Sequence, residues 1–343
     1  MNSSTPICVG TGLVALDVVI SGNIVNDTQF LAGGSCGNVL TILSYLGWTS
    51  FPAARLSNNI ATELLLEDLQ RWGVQDDLLS VSETGSTPVI IHRIMKDKSG
   101  LPKHRFEFKN PEDGKHLPAY KPCLAKDVQA IFEQKSNSNV FYFDRINRGA
   151  IELAKVYKAS GTIIFFEPSS VKDIKGFNES LEIADVVKFS DDRIADYDQL
   201  YPIAKAGLEI QTLGCSGLKF RTKGQQNWIK LSGYQIDNVV DAAGAGDWCT
   251  AAVIYHLFKQ NKMADLTEAD IVFALQFGQA LSALNCTFEG ARGLMYYIKR
   301  TDLLLYIQHI VESNISKIAQ KRTMQIDQPH KQSLKISSLF TRV

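Results

Sequence analysis

The sequence has no excess of either charge and no apolar run long enough to cross a bilayer. Lys plus Arg and Asp plus Glu number 36 each, so bulk charge gives no reason to expect a nucleic-acid or membrane partner. A membrane-spanning helix needs ~20 consecutive apolar residues. The first residues, MNSSTPICVG, also lack the basic start and apolar core of a signal peptide. We therefore expect a cytoplasmic protein.

Cysteine is sparse and never paired in a motif. No C-x-x-C sequence occurs, so zinc and redox motifs are unsupported and the metal ligands, if any, stay unknown. Several cysteines lie in apolar segments, where this residue behaves as a small core side chain. We expect reduced thiols at all six positions, which are Cys8, Cys36, Cys123, Cys215, Cys249 and Cys286.

Strand-like and helix-like segments alternate along most of the 343 residues. Short β-rich runs such as PICVGTG, NVFYFD and GTIIFFEP are separated by segments with helical spacing, such as GNVLTILSYLG and GAIELAKVYKASG. This alternation predicts an α/β fold with a mostly parallel sheet covered by helices on both faces.

Two extended segments interrupt this rhythm. Residues 14–34 are extended in character, and residues 87–110 read as two strands around a Gly/Pro-containing turn with no helix between them, so both segments predict a small sheet beside the main body. After about residue 312 the pattern fades, and six Lys or Arg stand against one Asp. We predict one domain over 5–312, with a lid from about 18–32 and 87–110, and a polar, basic, solvated tail over 313–343.

The run DAAGAGD, from Asp241 to Asp247, is the strongest chemical signal. We expect a strand up to about Val240 and a helix behind the loop, so the small residues would lie at a strand-to-helix turn. Unpaired N–H groups and the helix dipole favour an anion there, and Gly and Ala let a phosphate approach. Asp247 could merely stabilise the first turn of the helix, or take a proton from a hydroxyl that attacks a phosphoryl group.

Three motifs resemble those of one family. DAAGAGD resembles the C-terminal signature of the ribokinase-like (PfkB) carbohydrate and nucleoside kinases, usually D-T-x-G-A-G-D. Gly33-Gly34-Ser-Cys-Gly37-Asn38 resembles the N-terminal signature, and Thr212-Leu-Gly214-Cys-Ser-Gly217 resembles the nucleotide-side T-x-G-x-x-G turn. The motifs follow the family order over roughly residues 5–300. The resemblance implies a ribokinase-like three-layer sandwich with a mostly parallel central sheet and a small β lid.

The resemblance also implies roles for these residues. Asp247 would be the general base, and the backbone from Ala243 through Gly244 and Ala245 to Gly246 would form the anion hole for the γ-phosphate. The substrate side would be Asp17, Gly33, Gly34 and Asn38. The nucleotide side would be Thr212, Gly214, Gly217, Ala243 and Gly290. The expected activity is transfer of a phosphoryl group from ATP, with Mg²⁺, to a primary hydroxyl of a sugar. A requirement for a monovalent cation and a homodimer both stay open.

Two departures from the family pattern stand out, and the one at residues 190–193 keeps other functions open. Ala242 replaces the usual Thr, and Ser190-Asp-Asp-Arg193 replaces the N-x-x-E that the family links to magnesium and phosphate. Asp191 or Asp192 could hold a metal-bound water instead. The alternatives are a catalytically weak or inactive sugar-sensing protein of the same fold, and a nucleoside kinase, because a fold does not determine a substrate.

Weaker signals complete the sequence. Gly10, Gly12 and Ala15 form a G-x-G-x-x-A pattern typical of dinucleotide binding, but that pattern needs a helix after it, and β-branched residues follow here. Further ligand candidates lie on the second extended segment and after the run FYFD, where surface charge is the other explanation: Lys103, His104, Arg105, Arg145, Asn147 and Arg148.

Overall fold

The computed structural model describes residues 5–21, 28–96, 102–259, 263–319, 324–327, 331–332 and 334–343. The predicted lid segments at 18–32 and 87–110 and the predicted tail at 313–343 therefore lie partly outside the described residues. The side chains of Lys103 and His104 also lie outside them.

The strands and helices alternate as the sequence predicts. The strands are β1 (Ile7–Thr11), β2 (Ala15–Ser21), β3 (Thr28–Gly33), β4 (Thr49–Leu56), β5 (Leu79–Val81), β6 (Val89–Lys96), β7 (Pro102–Glu107), β8 (Val140–Phe143), β9 (Ile163–Phe166), β10 (Val186–Ser190), β11 (Leu208–Thr212), β12 (Leu218–Thr222), β13 (Ile229–Leu231), β14 (Gln235–Ile236), β15 (Lys317–Ile318) and β16 (Lys331–Gln332). The helices are α1 (Ser35–Tyr45), α2 (Ile60–Arg71), α3 (Val128–Gln134), α4 (Arg148–Ala159), α5 (Ile174–Ile183), α6 (Tyr197–Leu200), α7 (Ala245–Leu257), α8 (Glu268–Asn285) and α9 (Arg300–Glu312).

The central sheet has nine strands in the order β13-β12-β11-β10-β9-β8-β1-β4-β5. The seven strands from β11 to β5 pair in parallel, and β12 and β13 continue the sheet antiparallel at one edge. The predicted α/β class and its mostly parallel sheet are confirmed.

Two hydrophobic cores lie on opposite faces of this sheet. Side chains alternate across a strand, so Cys8 joins the core that holds α1, α7 and α8, while Val9 joins the core that holds α4 and α5. The same alternation separates Phe165 from Phe166 on β9. Because both faces are buried, the strands read as nearly continuous apolar runs. The resulting order of helix, sheet and helix is the predicted three-layer sandwich.

The two extended segments form a separate small sheet in the order β16-β3-β2-β6-β7. Strands β2 and β3 pair antiparallel, β6 and β7 do the same, and β2 joins the two pairs by running parallel to β6. The predicted β lid is confirmed. Strand β2 begins at Ala15, the last residue of the G-x-G-x-x-A pattern, so the helix required for dinucleotide binding is missing from this place.

The first sequence expectation that the structure corrects is the strand before Asp241. The strand predicted up to about Val240 is only β14, and it pairs with β15 outside the central sheet. The N–H groups of Val240 and Asp241 both donate to the carbonyl of Cys286, at 2.8 and 3.1 Å. The carbonyl of Cys286 thus accepts the hydrogen bonds that a neighbouring strand would otherwise accept.

The C-terminal residues pack against the body, which corrects the prediction of a solvated tail. Strand β16 pairs with β3 at the edge of the lid. Ile336 and Leu339 are buried against the core that includes α2, and the carbonyl of Thr341 accepts a hydrogen bond from Ile60. A few apolar side chains thus outweigh the basic composition of this segment.

None of the described helices combines the length and apolarity required to cross a membrane.

Candidate active site

A cavity of about 530 Å³ lies between the carboxyl ends of the central strands and the lid. In open α/β sheets, ligands bind outside the carboxyl ends of the strands. Several sequence-predicted site residues line the cavity, namely Asp17, Gly34, Asn38, Thr212, Ala243, Gly244, Ala245, Gly246 and Asp247. The structure therefore brings the N-terminal and C-terminal motifs to one place.

Gly244 sets the shape of the loop before α7. It caps the helix in the left-handed conformation, with φ of 74°, which only glycine adopts without strain. A Cβ atom here would lie 2.2 Å from the carbonyl oxygen of Ala291. Glycine thus lets the loop turn and lets it pack against the segment around Ala291.

The N–H groups of this loop divide into two sets. Ala243 donates to Oδ1 of Asp241 at 2.8 Å, and Ala245 donates to the carbonyl of Ala242 at 3.3 Å. Within the described part of the chain, the N–H groups of Gly244, Gly246 and Asp247 have no acceptor. They begin a 13-residue helix, whose dipole favours negative charge at this end. These N–H groups and the helix dipole favour an anion at this place. Within the predicted run from Ala243 to Gly246, the N–H groups of Ala243 and Ala245 already have acceptors.

Asp247 lies in the first turn of α7 and faces the cavity. Its Oδ2 accepts a hydrogen bond of 2.8 Å from Nδ2 of Asn38, which is itself buried. Burial raises the pKa of Asp247 to about 8, and the nearby Glu167 carboxylate adds to this, while Asn38 and Lys188 oppose it. A carboxylate with a pKa near neutrality is suited to exchanging a proton with a ligand.

A buried ion pair lies beneath this loop. Nζ of Lys188 is 2.6 Å from Oε1 of Glu167, and the Lys188 side chain is only 2% exposed. Oε2 of Glu167 accepts hydrogen bonds from Thr250 at 2.7 Å and from Tyr142 at 3.1 Å. Burial opposes the charged form of Lys188, but the Glu167 carboxylate outweighs it and raises the pKa of the lysine. Both members of the pair line the cavity.

Asp17 lies on lid strand β2 at the other side of the cavity. Burial raises its pKa to about 7; Arg292 lowers this pKa and Asp68 raises it. Arg292 is held by Oδ2 of Asp68 at 2.7 Å and by the carbonyl of Ala32. A Cβ atom at Gly33 would lie 2.0 Å from Oδ2 of Asp17, so Gly33 makes room for this carboxyl group although it does not itself line the cavity.

Arg145 is brought into the cavity by its neighbour Asp144. Nη1 of Arg145 is 2.7 Å from Oδ2 of Asp144, whose Oδ1 accepts the N–H of Leu13 at 2.9 Å. The other two candidates after β8 have structural contacts. Asn147 caps α4 through the N–H of Ala150, and Arg148 pairs with acidic side chains on the helix surface.

Three predicted nucleotide-side glycines lie outside the cavity lining. Gly214 and Gly217 form the turn between β11 and β12, and a Cβ atom at Gly217 would lie 2.2 Å from the carbonyl of Leu231. Gly290 donates its N–H to Oδ2 of Asp241 at 2.9 Å. Their contact with a nucleotide stays a prediction.

Sequence reasoning missed Glu167, Lys188 and Arg292. The first two carry a signal that could have found them, because a charged residue inside or directly after a fully apolar strand is rarely buried without a partner. Lys188 interrupts the run ADVVKFS, and Glu167 follows GTIIFF. Arg292 carries no such signal in its surroundings.

The cavity suits a metal bound together with phosphate better than a metal bound by protein alone. No three His, Cys, Asp or Glu side chains gather into a metal-binding group in the described ranges. Mg²⁺ is commonly bound by one or two carboxylates together with substrate phosphates and water. Asp192 lines the cavity with Ser190 and Thr212, so its carboxylate fits that mode of binding. Asp191 does not line the cavity.

Comparison with known proteins agrees with this architecture. Residues 177–295 match the family model described as pfkB family carbohydrate kinase, while a search of curated proteins finds no match. Among solved structures, a fructokinase from Vibrio cholerae O395 with fructose, ADP and calcium bound has a TM-score of 0.68 at 19% identity, over 88% of this chain and 99% of that chain.

Two further structures share the fold. Arabidopsis thaliana ribokinase, complexed with ribose and ATP, has a TM-score of 0.65 at 18% identity, over 89% of this chain and 99% of its own. The nucleoside kinase of Burkholderia thailandensis, in complex with inosine, has a TM-score of 0.65 at 14% identity, over 90% of this chain and 97% of that chain. The chain thus carries a pfkB family domain match over residues 177–295 within a ribokinase-like kinase fold.

Proposed function

We propose that this protein is an ATP-dependent kinase that phosphorylates a primary hydroxyl of a sugar or sugar-like acceptor. The observation that carries the proposal is the position of Asp247. Its partly buried carboxyl group, with a pKa of about 8, lies in the first turn of α7 beside three N–H groups that have no acceptor among the described residues. A proton acceptor and an anion site are thus adjacent in one cavity, as phosphoryl transfer requires.

The reaction is a direct transfer between two oxygen atoms. The acceptor hydroxyl gives its proton to the Asp247 carboxylate while its oxygen forms a bond to the γ-phosphorus of ATP. The bond between that phosphorus and the bridging oxygen breaks, and ADP leaves with the electron pair. The products are the phosphorylated acceptor, ADP and one proton, which Asp247 later releases to solvent.

Backbone groups would stabilise the charge of the moving phosphoryl group. The N–H groups of Gly244, Gly246 and Asp247 are fixed by the helix, so they need no reorganisation during transfer. Mg²⁺, held by Asp192 and the ATP phosphates, would neutralise part of their negative charge. On the nucleotide side we retain Thr212, Gly214, Gly217, Ala243 and Gly290 as the contacts of ATP.

The charged side chains that line the cavity favour an uncharged acceptor. Three of the Lys and Arg side chains in this lining are each paired with a carboxylate: Arg145 with Asp144, Lys188 with Glu167, and Arg292 with Asp68. A fourth, Arg193, lines the cavity next to Asp192. The carboxyl groups of Asp17 and Asp247 remain, together with the amide of Asn38 and the backbone at Gly33 and Gly34. Such groups hydrogen-bond hydroxyls, and the two carboxyl groups, when ionised, repel a sugar acid or sugar phosphate.

A nucleoside is the second candidate acceptor. Phe106 of the lid lines the cavity and is 54% exposed, and its ring stacks on that of His92 with centroids 4.8 Å apart. An exposed ring above a polar pocket offers a platform for a nucleobase as well as for the apolar face of a sugar. The inosine complex of the B. thailandensis enzyme supports this alternative.

The decisive experiment measures ADP release with Mg-ATP across neutral hexoses, pentoses, sugar acids, sugar phosphates and nucleosides. We expect turnover with a neutral sugar, and a loss of about 10²–10⁴-fold in kcat in Asp247→Asn, because general acid–base catalysis contributes about that factor. ATP affinity, measured by calorimetry, should change little in this variant.

Asp302→Asn is the matched control, since Asp302 also lies in the first turn of a helix but is exposed and outside the cavity. It should keep the wild-type kcat. Turnover of Asp247→Asn at the wild-type rate would remove Asp247 from the mechanism. Stabilisation by a sugar without any turnover would instead favour a sugar-sensing protein.

A further inference from the structure

Lys188 lies directly beside the anion-binding loop. A Cβ atom built on Gly246 would be 3.7 Å from Nζ of Lys188 and 4.0 Å from Oε1 of Glu167. Gly246 is one of the three residues whose N–H groups have no acceptor in the described part of the chain. The ammonium group is therefore a close neighbour of the place where a transferred phosphoryl group would be bound.

Side chains from three neighbouring elements, β9, α7 and β8, fix the position of Lys188. Strand β10 carries the lysine, and Glu167 at the end of β9 holds its Nζ at 2.6 Å. Thr250, one turn beyond Asp247 on α7, and Tyr142 on β8 hold the other oxygen of Glu167. A lysine ammonium has three N–H donors, and Glu167 is the one acceptor it has among the described residues. Two donors remain available on a side chain that lines the cavity.

We propose that Lys188 is a catalytic residue that donates hydrogen bonds to the γ-phosphoryl oxygens during transfer, while Glu167 positions it. This inference rests on the proposed kinase function. Lys188 keeps its proton throughout, so the balance of the reaction is unchanged. A fixed cation lowers the energy of a transition state whose negative charge is spread over the phosphoryl oxygens.

A purely structural ion pair is the competing explanation, and the two roles can be separated. Removing Lys188 alone would leave the Glu167 carboxylate buried and unpaired, which destabilises a fold. Replacing both members by neutral side chains of similar size removes that cost, and such replacements are often neutral or stabilising. The double variant Lys188→Met with Glu167→Gln therefore removes the ammonium while leaving a balanced interior.

The test compares wild type, this double variant and a control double variant, Arg221→Met with Glu209→Gln. The control removes a second buried ion pair, 2.8 Å long, that does not line the cavity. Thermal unfolding first establishes that all three proteins fold. We expect kcat of the Lys188 double variant to fall by about 10²–10³-fold, the loss seen when one transition-state donor is removed. The control should stay within about twofold of the wild-type kcat, since distant sites act independently.

A binding measurement separates this inference from the proposed function. Calorimetry with ADP and with a non-hydrolysable ATP analogue gives the contribution of the γ-phosphate to affinity. We expect the wild type to prefer the analogue and the Lys188 double variant to lose most of that preference, whether or not an acceptor has been found. An unchanged preference, or a kcat within threefold of wild type in the folded double variant, would overturn the role of Lys188.

Discussion

Asp247 is a partly buried acid whose surroundings oppose its ionisation. Burial removes solvent from its carboxyl group and Glu167 adds negative charge nearby, so the pKa rises to about 8. The hydrogen bond from Asn38 and the charge of Lys188 limit this rise. The carboxylate is consequently a stronger base than an ordinary aspartate, whose pKa is ~3.9.

The pH dependence of catalysis tests this environment. If Asp247 acts as the base, kcat/KM should rise about tenfold per pH unit below pH 8 and level off above it, because only the ionised carboxylate accepts a proton. In Glu167→Gln the loss of a neighbouring negative charge should move the inflection to lower pH. Initial rates between pH 6 and 10 would show both effects, and a flat profile would contradict the assignment.

At the residue scale, the sequence predicted the side chains proposed to contact the ligands better than the buried ion pair beside them. Asn38 and Asp247 stand in motifs that resemble family signatures, and the resemblance also assigns a role to Asp17; all three line one cavity. Lys188 and Glu167 are 21 residues apart in sequence. Their pairing depends on two adjacent parallel strands, β9 and β10, ending at the same edge of the sheet, and local sequence contains no information on that adjacency.

The loop from Asp241 to Asp247 is the element on which both proposals depend. Its shape comes from the left-handed Gly244 and from Asp241, which accepts the N–H groups of Ala243 and Gly290 at 2.8 and 2.9 Å. Asp241 thus ties the loop to the segment that carries Arg292. The carboxylate has a structural function here that the motif alone did not reveal.

Gly244→Ala should disable this element. The new Cβ would lie 2.2 Å from the carbonyl of Ala291, in a backbone conformation that alanine avoids. We expect at least a tenfold weaker affinity for ATP, measured by calorimetry, because the N–H groups would be displaced from the positions proposed to bind phosphate.

Gly161→Ala is the control for backbone strain alone, because Gly161 also has a positive φ, of 85°, but a Cβ there would have no atom within 4 Å. Its cost should be about 1 kcal/mol of stability with ATP affinity retained. Equal affinities in the two variants would show that the loop tolerates the displacement.

The strand expected before this loop shows where local pattern fails. Two consecutive valines have high β propensity, yet Val239 is 52% exposed and Val240 bonds to the loop at Cys286. Propensity was overridden by a tertiary hydrogen-bond partner. The lid strands, in contrast, were predictable because long β-branched runs without helical spacing have few other structures available.

At the scale of the whole molecule, the C-terminal segment connects the lid to the body. It pairs with β3 through β16 and then buries Leu339 completely beside α2. Its composition predicts a solvated segment because only a few apolar residues stand among many polar ones. Burial of those few residues depends on a surface formed by distant parts of the chain.

Leu339→Ala tests this packing. Removing a fully buried leucine side chain should lower the free energy of unfolding by about 2–5 kcal/mol, measured by urea denaturation. Met324→Ala, at a side chain that is 90% exposed, should change it by less than about 0.5 kcal/mol. A Leu339 variant as stable as the wild type would show that the segment is not docked in solution.

The hydrogen bond between Asn38 and Asp247 joins residues 209 positions apart, and Arg292 reaches Asp68 across 224 positions. Contacts between such distant parts of a chain form late in folding, because the intervening loop must be closed first. No partly folded chain therefore contains the complete pocket. During refolding, ATP binding would therefore recover only in molecules in which the N-terminal and C-terminal parts of the pocket have come together. The ligand would then report the last step of folding.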